Sequence, residues 1–81
     1  MDRGLGCHRL LLGHDLVLIR EDEQGIEVEG RARLRPGRDV EIVRPEGAPR
    51  GGDARRAMVH TWRVARLGHE GTLFRGICRW L

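Results

Sequence analysis

The feature that most constrains this chain is the way glycine-marked turns break it into short stretches in which apolar and charged residues alternate one by one. Ile26 and Val28 alternate with Glu27 and Glu29, and Val40 and Ile42 with Asp39 and Glu41. Such period-two runs turn one side of an extended segment to a core and the other to water. The run Leu16, Val17, Leu18, Ile19 is strand-length and partly β-branched, which predicts a buried strand. Gly25 closes the acidic segment after it, at a turn where positive φ would suit glycine. Pro36 and Gly37 predict a tight turn with proline second and glycine third. Residues 44–55, with two prolines and three glycines, read as a loop.

A longer strand is expected from Arg56 to Leu67, with Met58, Trp62 and Val64 against Val59, Thr61 and Arg63. His60 falls on the apolar side of that alternation, which points to a bulge, a register adjustment or a wet edge. The segment LGHEG then predicts a hairpin loop. The last strand, TLFRGICRWL, puts Phe74, Gly76, Cys78 and Trp80 on one face and Arg75 and Arg79 on the other with Leu73 and Ile77. Helical periodicity is not sustained anywhere, except weakly around Leu5 to Leu12. The expectation is all-β: a small antiparallel sheet of six strands, curled into a barrel that hides its edges. At 81 residues the chain holds one core. Residues 14–81 are expected to form that barrel, with residues 1–13 as a flexible segment ahead of it.

All fifteen basic residues are arginine, most simply a GC-rich coding bias, with phosphate or carboxylate forks as the functional reading. Residues 1–49 hold eight Arg against ten acids, and residues 50–81 seven Arg against two acids. That asymmetry fits an anion-binding or nucleic-acid-binding face in the second half, and it also fits a solvated surface with uneven strands. Arg44, Arg50, Arg55 and Arg56 form the densest basic patch, read as a solvated linker in preference to an anion site. Cys7 and Cys78 lack metal or redox spacing, although a disulfide between them could form in an oxidising compartment. The opening residues lack the apolar core of a secretory signal, and no stretch has membrane-spanning length. A cytoplasmic protein with reduced thiols is expected.

Catalysis finds little support in these residue types. The chain contains no serine, and Glu21, Asp22 and Glu23 are adjacent, so a turn splays them instead of setting an acid and a base across a substrate. His8, His14, His60 and His69 are scattered, and Cys7 beside His8 has no required partner, so neither a metal nor a cofactor is expected. Trp62, Phe74 and Trp80 fall at core positions. Binding of RNA or single-stranded nucleic acid, which would want exposed aromatics, is therefore a secondary reading.

From Leu16 to Trp80 the chain resembles the PilZ domain, a six-stranded barrel family known for binding the bacterial second messenger cyclic di-GMP. The resemblance rests on LRPGRDVEIV and on the closing RAMVHTWRVARL and GTLFRGICRW segments. Receptors of that family carry an RxxxR segment ahead of the barrel and a DxSxxG loop. On that loop Arg20 stands at the Asp position, Asp22 at the Ser position, and Gly25 matches. The resemblance implies a non-enzymatic binding module in bacterial signalling, a divergent cyclic di-GMP receptor. Arg3 and Arg9 would approach the ligand's phosphates or guanines while Arg20, Asp22 and Gly25 close the site. Family members lacking both motifs act as protein-binding adaptors. In that version a sheet face or edge bearing Arg63, Arg75 and Arg79 would meet an acidic protein partner.

Overall fold

The computed structural model describes residues 8–47 and 53–81. Six strands follow one another: β1 (His8–Leu11), β2 (Leu16–Glu21), β3 (Gly25–Gly30), β4 (Asp39–Val43), β5 (Ala54–Gly68) and β6 (Gly71–Trp80). They form one sheet in the order β1-β4-β5-β6-β3-β2, curled into an open half-barrel.

The expected wholly antiparallel sheet is corrected at one place, because β1 runs parallel to β4, with Leu10 opposite Ile42. The cause is the turn after β1. Asp15 Oδ2 accepts the Leu11 N–H at 2.8 Å, and Leu12 bridges Leu16 in parallel. The chain thus enters β2 without the reversal a hairpin would give. That bond from Leu11, and secondly the one to His14, holds the Asp15 carboxyl below its ordinary value. Part of the segment expected to precede the barrel is therefore in the sheet, with Leu10 and Leu12 buried.

Leu10, Leu12, Leu16, Ile26, Val28, Leu34, Val40, Ile42, Ala57, Val59 and Cys78 make the core, and Ala32, Trp62 and Trp80 pack against it. On β3, β4 and β6 these positions come from the face that alternation assigns inward, but on β5 the core takes Ala57 and Val59 where Met58 was expected. The turn of Pro36 and Gly37 forms as expected: Arg38 N–H donates to Arg35 O at 3.1 Å, and Gly37 has φ +92°. It then docks on β5, where Gly37 N–H donates to Val59 O and Val59 N–H to Arg38 O, at 2.7 and 2.8 Å.

Those two bonds sit where β5 changes register. Val59 faces Cys78 and Thr61 faces Ile77, which leaves His60 as the extra residue of a bulge. The bulge switches the parity of the strand. Ala57 and Val59 face inward before it, Trp62 after it, and Met58 lies with Arg79 on the outer side. Trp62 stacks on Phe74 at 6.2 Å between ring centroids, and its Nε1–H donates to Ala32 O at 3.0 Å.

β2 departs most from expectation. Leu16 is buried, but Val17, Leu18 and Ile19 are 61%, 43% and 42% exposed. An apolar run is ambiguous between a central strand and an edge, and here the run lies at the edge of the sheet.

Candidate functional site

Of the residues expected to hold a ligand, Arg20, Asp22 and Gly25 do come together. With Glu21, Gln24, Glu27, Ile77 and Arg79 they line a cleft of about 210 Å³ on the outer side of β2, β3 and β6. Their bonds, however, are structural. Asp22 Oδ1 accepts the N–H groups of Gln24 (2.8 Å) and Gly25 (3.0 Å), and Asp22 N–H donates to Gly25 O at 2.9 Å, so its carboxylate builds the β2–β3 turn. Arg20 lies 3.7 Å from Glu27, its partner across the strands, and Glu21 pairs with Arg44.

Gly25 has no positive φ, contrary to expectation. A Cβ there would lie 2.2 Å from the Cys78 carbonyl oxygen, so close approach of β3 to β6 is what calls for glycine. The cleft holds two arginines against Glu21, Asp22 and Glu27.

Arg9 lines a different cleft, of about 460 Å³, between β1 and the start of β2, and forms an ion pair with Glu41 at 2.9 Å. The structure does not bring Arg9 to Arg20. Arg3, like Cys7 and Arg50, lies outside the described residues. The other members of the expected basic patch are dispersed: Arg44 holds Glu21, Arg56 holds Asp39 at 3.2 Å, and the Arg55 guanidinium sits 4.4 Å from the centre of the Trp80 ring.

The outer face of β5 and β6 is different. Register sets Arg63 directly opposite Arg75, Met58 opposite Arg79 and Arg66 opposite Leu73, on the side away from the core. Arg75 is held by Glu29, with Nε at 2.8 Å. Arg63, Arg66 and Arg79 have no carboxylate partner among the described residues and are exposed. Sequence reading named Arg63, Arg75 and Arg79 for this face. It missed Arg66, because a second bulge between Val64 and Arg66 switches the parity again. Trp62, Phe74 and Trp80 all lie on the opposite, core side of the sheet.

Among the described residues no group of three His, Cys, Asp or Glu side chains could hold a metal ion, and no helix is long and apolar enough to cross a membrane. Cys78 is fully buried, and burial pushes its thiol up to about 11. It should therefore resist iodoacetamide at pH 8 in the native protein and react once urea exposes it, as mass spectrometry would read. The fold prefers the neutral thiol, so this group's contribution to stability is intact below its ordinary pKa of 9.0 and is lost as pH rises toward 11. Compared with known proteins, the chain matches no family model, no curated protein and no solved structure.

Proposed function

We propose that this protein is a non-enzymatic binding module that meets an acidic protein partner through the outer face of β5 and β6. The observation that carries this reading is the set of exposed arginines there, Arg63, Arg66 and Arg79 beside Arg75, with no carboxylate partner for the first three among the described residues. Arg63 and Arg75 repel each other across the strands, a local cost that an acidic partner would offset. The face carries no aromatic ring on which bases could stack, which favours protein over single-stranded nucleic acid.

A charge reversal separates the two effects. Arg63→Glu places an acid opposite Arg75 and is expected to raise stability by about 0.5 kcal/mol in urea unfolding. The same variant should weaken binding of a polyglutamate probe, and the double variant with Arg79→Glu should remove it. Unchanged polyglutamate affinity in the double variant would refute the outer-face reading.

A second reading has its own observation, the cleft that gathers Arg20, Asp22 and Gly25 with Arg79. It supports a PilZ-like receptor for cyclic di-GMP. Calorimetric titration with cyclic di-GMP, with GTP as control, tests it. Saturable binding selective over GTP and weakened by Arg20→Ala or Arg79→Ala would establish a receptor, and no heat at high ligand would exclude it. An oligonucleotide arm whose binding falls steeply with salt would instead point to nucleic acid.

A further inference from the structure

β5 outruns its neighbour β4. On that side β4 pairs with residues 54–58, and the turn of Gly37 and Arg38 takes the two backbone groups of Val59. From His60 to Gly68, among the described residues, the backbone of β5 is bonded to β6 alone. Gly68 and Gly71 form the bonded pair that closes a tight turn, so alternation along β6 turns the N–H and C=O of Val64 and Leu67 away from β6. Val59, opposite Cys78, keeps the same phase, since its own N–H and C=O meet Arg38 and Gly37.

Side chains along this stretch are sorted by face. Val64 lies opposite Phe74 and Leu67 opposite Thr72, on the core side of the sheet, while Arg63 and Arg66 lie on the outer side. The bulge between Val64 and Arg66 preserves that sorting by adding one residue between them. With no strand beside them, Val64 and Leu67 are 54% and 75% exposed.

The charge beside this edge is not cancelled. The crossover of residues 31–38 runs past it: Trp62 Nε1–H reaches Ala32 O, the Arg33 guanidinium sits 5.8 Å from the centre of the Phe74 ring, and Arg38 holds Val59. That crossover carries no acid. Its Arg33, Arg35 and Arg38, together with Arg63 and Arg66, are exposed and have no carboxylate partner among the described residues. The bordering acids are held by other arginines, Glu70 by Arg31, Asp39 by Arg56 and Glu29 by Arg75, so those pairs contribute no net charge.

We propose that the acidic protein partner docks by adding an antiparallel strand to the open edge of β5, with alternating acidic and apolar side chains. Its acids lie beside Arg63 and Arg66, and its apolar side chains cover Val64 and Leu67. The proposal rests on the outer-face reading for the sign of the partner and adds its conformation and its pattern. An extended peptide supplies both donors and acceptors to the unpaired backbone of β5, whereas a nucleic-acid backbone supplies phosphate acceptors without matching donors. A second copy of β5 would set arginine against arginine, which disfavours pairing between copies of this chain.

The test uses the full chain and a synthetic peptide of alternating valine and glutamate, blocked at both ends. A control peptide has the same sequence and charge but is N-methylated at its valines, which removes the amides that antiparallel pairing needs. Hydrogen exchange read by NMR is expected to slow at least tenfold at the Val64 and Leu67 amides with the first peptide only. Leu67→Pro, which removes an N–H that the sheet does not use, should weaken that peptide at least fivefold and leave polyglutamate binding unchanged, with circular dichroism reporting the fold. Equal binding of the two peptides, or binding without protection at Val64 and Leu67, would overturn the added strand while leaving the outer-face reading intact. Loss of polyglutamate binding as well, in the unaltered chain, would sink both. Sedimentation showing a dimer that Leu67→Pro dissolves would also overturn the proposal, by placing a second copy on this edge.

Discussion

Replacing Gly76 by alanine is expected to cost about 3 kcal/mol, at the upper end of what overpacking a tight site costs. A Cβ at this position would lie 2.1 Å from the Thr61 carbonyl oxygen and 2.3 Å from Trp62 Cε3. Neither neighbour can withdraw. Thr61 is in the paired backbone of β5 just past the His60 bulge, and its Oγ1 accepts the Ile77 N–H at 3.2 Å. Trp62 is held by its bond to Ala32 O and by its stacking on Phe74. For a domain of this size the loss corresponds to a melting temperature lower by roughly 12 °C or more. Urea unfolding followed by tryptophan fluorescence measures it. Gly68→Ala is the control: its Cβ would have no neighbour closer than 4.0 Å, and φ there is not positive, so the midpoint should hardly move. A Gly76→Ala midpoint as little changed as the control's would contradict the packing described for the β5–β6 pair.

Leu10→Ala is expected to cost about 3 kcal/mol, the usual range for a leucine removed from a core whose walls cannot collapse. Leu10 is 2% exposed and packs from the edge strand β1, beside Ile42 on β4. A residue in a segment merely appended to the barrel would cost almost nothing when truncated. The measurement therefore decides between β1 as a working strand and β1 as part of a flexible segment ahead of the barrel. The same urea experiment suffices, with Leu67→Ala as comparison, since Leu67 is 75% exposed and its loss should be small.

Much of the strand layout was legible because local alternation decides it. β3 and β4 were read from Ile26, Val28, Val40 and Ile42, and the hairpin of β5 and β6 from its glycines, because a two-residue period needs no distant partner to be recognised. His60, by breaking the alternation, pointed to an irregularity of which a bulge was one reading, but not to the switch of face that the bulge imposes between Met58 and Trp62. The candidate site was legible only in part. Arg20, Asp22 and Gly25 are close in sequence and share a cleft, yet the employment of Asp22 in the turn and the contact of Gly25 with Cys78 depend on chain that lies elsewhere.

By itself, then, the sequence determined an all-strand chain, the inward faces of β3, β4 and β6, and an arginine-bearing outer face at Arg63, Arg75 and Arg79. These follow from side-chain period and turn chemistry, which act over a few residues. Only the tertiary structure decided that β1 runs parallel to β4, that the apolar run of β2 is an exposed edge, and which arginines keep a carboxylate partner. Each of those is a choice of neighbour across the sheet. Period two states which side of a strand is apolar, but it is silent on which strand, or water, will lie beside it.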